Sequence, residues 1–225
     1  MPSEVPAATP TAWVTGITGY WGRNVALCLL RQGWGVVGLS RCQPKDLQSW
    51  AEAQGKSLQW FHFDLADPNW DPLLDFPQAI FHCAARFDQV DQDLALMMQV
   101  NVLGPIQLIE QGIQTMSDGG RIGVFLGQNG RIGLPGLGEF SATQAALWTW
   151  AEARSRSLAG SRLSLSLVFP PRAPSGLQAQ LASQLSRPPQ IRQRPTADPL
   201  VKGVLAGKRR VGRWPWLAGV ATLLW

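Results

Sequence analysis

Tyrosine is nearly absent from this chain, with one residue, Tyr20, among 225. Histidine (two), cysteine (three) and methionine (four) are scarce too, and only 16% of residues are charged. Each scarcity excludes something. The two histidines, His62 and His82, sit inside apolar runs with no carboxylate close in sequence, so they read as core or strand-end residues rather than catalytic bases. Cys28, Cys42 and Cys83 are odd in number and lack metal-ligand spacing. Neither a disulfide framework nor a metal site is expected, and they read as reduced, mostly buried thiols of a cytosolic protein. No apolar run reaches the roughly 20 residues that cross a bilayer. The opening MPSEVPAATPTA has neither a basic nor an apolar leader segment, so residues 1–10 are expected to form a frayed arm.

Charge is unevenly placed. Residues 1–120 carry 6 Lys and Arg against 12 Asp and Glu, a balance of −6, whereas residues 121–225 carry 14 against 3, a balance of +11. A basic second half suits an anionic cofactor, an acidic protein or lipid headgroups. The charges are scattered among Pro, Gln and Ser, and no nucleic-acid-binding motif is visible, so nucleic acid is not expected.

What is present is organised around residues 13–24, WVTGITGYWGRN. Trp13 and Val14 end a short apolar run; Gly16, Gly19 and Gly22 follow at spacings of three; the apolar positions Val25, Ala26, Leu29 and Leu30 then recur with helical period. This is a strand, a glycine turn and a helix start. Glycines let backbone approach a pyrophosphate, and the first helix amides point at the anion with the positive end of the helix dipole behind them. Gly-rich turns also occur for purely structural reasons; the flanking strand and helix are the context that the phosphate reading requires. Gly16, Thr18, Gly19, Tyr20, Trp21 and Gly22 are the candidate cradle.

Strand-like and helix-like segments then alternate. Gly35 to Leu39 reads as a second buried strand, ending in Ser40 and Arg41. An acidic residue here would accept from a ribose 2′-hydroxyl; Arg41, helped by Ser40 and Arg23, instead favours a 2′-phosphate, hence NADP(H) over NAD(H). Leu58 to Phe63 is a third strand, ending in Asp64 and Leu65, where a carboxylate can accept from an adenine amino group. Gln78 to Cys83 is a fourth, ending in Ala84 and Ala85, small enough for backbone to lie against a cofactor. Asp91 to Met116 is a long helical pattern containing Asn101, expected to bend at Gly104-Pro105. A fifth strand (Arg121 to Leu126), a glycine-rich loop, a helix from Phe140 to Leu158 and a sixth strand (Arg162 to Phe169) follow. The alternation predicts a single-domain α/β, Rossmann-type, doubly wound parallel sheet with right-handed crossovers.

With these residues in view, the chain resembles the short-chain dehydrogenase/reductase family over residues 11 to 171. The matching stretches are TGITGYWG after the first strand, FDLAD after the third, IFHCAA after the fourth, VNVLG on the long helix and FSATQAAL opening the late helix. The glycine spacing and HCAA resemble the extended branch; QVNVLG and FSATQAAL resemble the shorter one. The resemblance implies a dinucleotide-binding domain and a tetrad of Tyr, a Lys four residues on, Ser and Asn beside the nicotinamide. The Lys lowers the Tyr pKa, and i and i+4 share a helix face. Here the Tyr position is Phe140, the Lys position Gln144 and the Ser position Gly127; only Asn101 matches. The expectation is an NADP(H)-binding protein with a degenerate tetrad, acting as a sensor, scaffold or assembly factor. The alternatives are a reductase with a non-standard proton source, for which Glu139 is the ionisable candidate, and a structural or membrane-peripheral subunit without cofactor. Pairing through the long and late helices is the partner arrangement that the resemblance implies.

Beyond the sixth strand, residues 172–225 are expected to form a lid-like segment and a C-terminal tail on the same domain. They include a weak helix at Leu177 to Leu185 and a helix at Asp198 to Leu205. The basic cluster Lys208, Arg209, Arg210 and Arg213 follows, and the chain ends WPWLAGVATLLW. That ending reads either as packing on the sheet or as an interfacial anchor on an anionic membrane through Trp214, Trp216 and Trp225.

Overall fold

Seven strands, all parallel, form one sheet in the order β3-β2-β1-β4-β5-β6-β7 in the computed structural model, which describes residues 9–67, 77–87, 93–133, 136–171 and 197–212. The strands are β1 (Thr11–Thr15), β2 (Gly35–Ser40), β3 (Leu58–His62), β4 (Ala79–His82), β5 (Arg121–Phe125), β6 (Ser164–Phe169) and β7 (Arg210–Gly212). The order reverses between β1 and β4, where a doubly wound sheet opens a crevice at the carboxyl ends of its strands.

Side-chain alternation divides the core between two faces. Ala12 and Val14 of β1 join one cluster with Val25, Ala26 and Leu29 of α1 (Tyr20–Arg31), Leu47 and Ala51 of α2 (Lys45–Ala53), and Leu200, Val201 and Val204 of α6 (Asp198–Leu205). Trp13 joins the opposite cluster with Leu108 and Ile109 of α4 (Gly104–Thr115) and Leu147, Trp148 and Ala151 of α5 (Gly138–Ser157).

The long helix differs from its expected form. It runs as α3 (Leu94–Met98), a π-helical turn (Gln99–Leu103) and α4, with Asp93 capping α3 through a 3.0 Å bond from the Leu96 amide. The expected bend at Gly104-Pro105 is instead this π-turn one turn earlier. Pro105 has no N–H for the carbonyl four residues back, that of Asn101, so the hydrogen-bond ladder steps to a longer register. Gly104 has its own reason: a Cβ there would stand 2.4 Å from the Leu65 carbonyl oxygen. Two elements lay outside the sequence reading, α2 and the edge strand β7. Arg210 of the basic cluster is part of β7 and pairs with Glu152 of α5 at 2.8 Å. Of the three cysteines expected to be mostly buried, Cys28 is buried, Cys83 half-buried and Cys42 exposed, two residues past the end of β2; His62 is exposed at the end of β3, one of the two placements expected for it. Residues 1–8 of the arm expected over 1–10, the segment 177–185 expected as a weak helix, Arg213 and the three terminal tryptophans lie outside the described residues.

Candidate functional site

β1 ends in Thr15, whose hydroxyl oxygen accepts from the Cys83 and Ala84 amides at 3.1 and 3.2 Å, tying the ends of β1 and β4 together. Gly16 follows with φ +65°, and its Cα faces Ala84 so closely that a Cβ would meet the Ala84 Cα at 2.8 Å. Gly22, in the first turn of α1, packs on the same loop; a Cβ there would lie 2.2 Å from the Gly16 oxygen. Gly19 is the N-cap of α1, with no side chain to satisfy the first-turn amides, and α1 has no acidic residue in that turn. Those amides have no acceptor within the helix and carry its positive dipole end.

A cleft of about 230 Å³ opens against this turn. Thr15, Gly16, Thr18 and Gly19 form one wall, Leu39 to Cys42 and Phe63 to Leu65 the second, and Cys83 to Arg86 with Val100 the third. Nine of the twelve candidate cofactor-binding residues therefore meet in one place: Gly16, Thr18, Gly19, Ser40, Arg41, Asp64, Leu65, Ala84 and Ala85. Tyr20, Trp21 and Gly22 are not among its lining. Gly22 closes the loop from behind, and Trp21 packs inward with its ring 6.2 Å from Phe125. Tyr20 is 40% exposed and stands edge-on to Trp21 at 5.0 Å. Cys42, Phe63, Cys83, Arg86 and Val100 line the cleft without having been singled out. Of these only Arg86, a cation directly after HCAA, carried a readable signal.

The second wall is electrostatically specific. Arg41 is exposed on it, and no carboxylate stands at the end of β2. Arg23, expected to assist Arg41, is instead bound to Asp46 of α2 at 2.5 Å, and that guanidinium holds the Asp46 carboxyl below its ordinary range. Ser40 is occupied as well: its hydroxyl donates to the Cys42 carbonyl at 2.7 Å and accepts from the Trp60 indole N–H at 3.1 Å. Asp64 accepts from the Ala66 amide at 3.0 Å, closing a turn after β3.

The tetrad positions also converge. Asn101 is 1% exposed on the π-turn. Its Oδ1 accepts from the Arg86 amide at 2.6 Å, while its Nδ2 donates to the Arg86 carbonyl at 2.9 Å and to the Thr143 hydroxyl at 3.1 Å. Gln144 is buried, and its Oε1 accepts from the Gly127 amide at 2.8 Å. Asn129 fills the space over Gly127, since a Cβ there would meet its Oδ1 at 2.2 Å. Gly130 packs backbone to backbone on α5, where a Cβ would lie 2.8 Å from the Gln144 carbonyl carbon. The Arg131 guanidinium sits 5.0 Å over the Trp148 ring. The Phe140 ring packs against Phe87 with centroids 5.1 Å apart and planes inclined by 57°, and Phe87 is 47% exposed. None of the four tetrad positions carries an ionisable side chain. Among the described residues, no group of three or more His, Cys, Asp or Glu could hold a metal, and no helix is long and apolar enough to cross a membrane.

Residues 12–115 match the model of the NAD dependent epimerase/dehydratase family. The fold is that of solved short-chain dehydrogenases, including one from Salmonella enterica serovar Typhi (TM-score 0.70, 23% identity, 90% of this chain and 93% of that one). This chain shares the short-chain dehydrogenase fold. The same fold appears in a 3-oxoacyl-(acyl-carrier-protein) reductase of Agrobacterium tumefaciens solved with NADP bound (TM-score 0.70, 19% identity, 78% of this chain and 75% of that one). Among curated proteins, one of Synechocystis sp. provisionally named dihydroflavonol 4-reductase is 33% identical over 94 residues, 41% of this chain. That match spans only 26% of the Synechocystis protein. The glycine turn and the two strand ends beside it are where likeness and geometry coincide.

Proposed function

We propose that the chain binds NADP(H) in the cleft between β1 and β4 and uses it as a nucleotide-sensing or scaffolding ligand, not for ordinary alcohol–carbonyl redox chemistry. The residues suit the dinucleotide. Gly16 and Gly22 let the turn close against Ala84 and α1 more tightly than any Cβ would allow, the first amides of α1 offer donors and dipole to a pyrophosphate, and Arg41 offers a planar fork to a 2′-phosphate. The similar reductase solved with NADP bound supports this choice. Asp64, Ala84 and Ala85 would border the adenosine end, and Asn101 holds the Arg86 backbone in place.

The bound dinucleotide would supply a hydride, but no tetrad side chain can move the accompanying proton. The observation that carries this reading is the closed bond between the Gln144 amide oxygen and the Gly127 N–H. It occupies the side chain at the Lys position, and it does so with a group that neither titrates nor lowers a neighbour's pKa. Leu94 and Leu103 are exposed along α3 and the π-turn, the side on which the resemblance expects a second copy.

The test is thermal unfolding with NADPH and NADH, followed by a turnover panel of simple ketones, aldehydes and alcohols. A ligand binding only the folded state at 100 times its Kd stabilises by about 2.7 kcal/mol, so NADPH is expected to raise Tm clearly and more than NADH does. No shift with either nucleotide at millimolar concentration overturns the binding half of the proposal. Steady NADPH consumption with a simple carbonyl overturns the other half.

A further inference from the structure

Resting on the reading that NADP(H) occupies this cleft, we propose that Trp60 is a specificity-positioning residue. Through Ser40 it fixes the turn that presents Arg41 to the nucleotide's 2′-phosphate. Arg41 stands between two residues that are each restrained. Ser40, before it, is the last residue of β2; Cys42, after it, is exposed and lines the cleft. The Ser40 hydroxyl spans the turn by donating to the Cys42 carbonyl at 2.7 Å. A hydroxyl has one proton, and here it is committed, so the remaining capacity is as acceptor. The Trp60 indole N–H uses that capacity at 3.1 Å. Trp60 lies on β3 opposite Gly38 of β2, so its ring reaches the turn from the neighbouring strand, outside the cleft lining.

The chain indole N–H to Ser40 hydroxyl to Cys42 carbonyl therefore leaves Ser40 as a brace rather than a phosphate ligand. It also leaves the cation choice to Arg41. Arg23, the other arginine at this end, is neutralised by Asp46. A guanidinium reads a phosphate through its orientation as well as its charge, so loosening the turn weakens 2′-phosphate recognition while sparing what the rest of the nucleotide touches.

The experiment measures dissociation constants of 2′,5′-ADP and of ADP by calorimetry for the full chain and for Trp60→Phe, Ser40→Ala and Arg41→Ala. The unmodified chain is expected to prefer 2′,5′-ADP, and Arg41→Ala to abolish the preference. Trp60→Phe keeps an aromatic ring and loses only the donor. It is expected to reduce the preference about three- to tenfold, the range for one lost hydrogen bond, with ADP affinity unchanged within about twofold. Ser40→Ala, which removes both bonds, is expected to reduce the preference at least as far, and it carries the test if Trp60→Phe does not fold. Protection of the Cys42 thiol from iodoacetamide by 2′,5′-ADP gives a second readout and should weaken in parallel. If Arg41→Ala abolishes the preference while Trp60→Phe and Ser40→Ala retain it, this inference falls and the cofactor reading stands. If the unmodified chain binds neither nucleotide, the cofactor reading falls and takes the inference with it.

Discussion

His82 makes the stability of this fold depend on pH in a way that the structure fixes in sign. The side chain is 0% exposed at the end of β4, and its Nδ1 lies 2.9 Å from the Thr15 Oγ1. That oxygen already accepts from the Cys83 and Ala84 amides, so its own proton goes to Nδ1 and the imidazole is the neutral Nε2–H tautomer. Nε2 has no partner. An imidazolium would need a second acceptor at Nδ1, where only the Thr15 donor stands, and burial pushes the His82 pKa from 6.5 down to about 4. A base with a depressed folded pKa is charged first in the unfolded chain. Between about pH 6.5 and pH 4 the unfolded state holds more protons, and stability falls as pH falls across that window.

Converting that depression gives an upper limit of about 3 kcal/mol lost between neutral pH and pH 4. The assay is urea unfolding at half-unit intervals from pH 4.5 to pH 7.5, for the unmodified chain and for His82→Gln. The glutamine keeps an acceptor for Thr15 and cannot titrate. Carboxylates contribute equally to both chains, so the difference between the two curves isolates the histidine. It should be flat above about pH 7 and narrow steadily below pH 6.5. Parallel curves over the whole range would refute the neutral, enclosed imidazole.

Three further outcomes are expected. Gly22→Ala should cost about 2 kcal/mol or more in urea unfolding and abolish any NADPH-induced Tm shift, because its Cβ would meet the Gly16 oxygen at 2.2 Å and force the loop aside. Combining Gly127→Ser, Phe140→Tyr and Gln144→Lys should not yield measurable carbonyl turnover, since the serine Cβ collides with Asn129 and the lysine strips the Gly127 amide of its acceptor. A chromogenic disulfide reagent should label Cys42 rapidly and Cys28 only on unfolding. Cys28 is buried, and burial together with the adjacent Asp198 pushes its thiol up to about 12.

The sheet was legible because its strands announce themselves. GVVGLS and AIFH are buried at every position, and a fully buried parallel strand has to be a short apolar run. Segment α2 was not legible: KDLQSWAEA buries only Leu47 and Ala51, too few to stand out as a helical stripe. β7 is three residues long and its buried position is a single valine, so its identity comes from its neighbour β6 rather than from its own composition. At the site, the glycine turn and the strand ends could be read because backbone approach demands particular residue types. The Arg23–Asp46 pair and the Trp60–Ser40 bond could not, since both join residues about 20 apart through side chains that look like ordinary surface.

The same limit bears on the tetrad, where two of the three departures, Gly127 and Gln144, belong to one arrangement. Gln144 needs a donor for its buried amide oxygen, and the Gly127 N–H supplies it. Gly127 must lack a Cβ because Asn129 fills that space, and Gly130 must lack one because its backbone lies against residues 144 and 145 of α5. A glycine, a glutamine and the loop between them constrain one another, so a substitution at one meets resistance from the other two. That interdependence is the physical reason to read residues 127–144 as one contact between loop and helix, tied through Thr143 and Asn101 to the Arg86 backbone at the cleft.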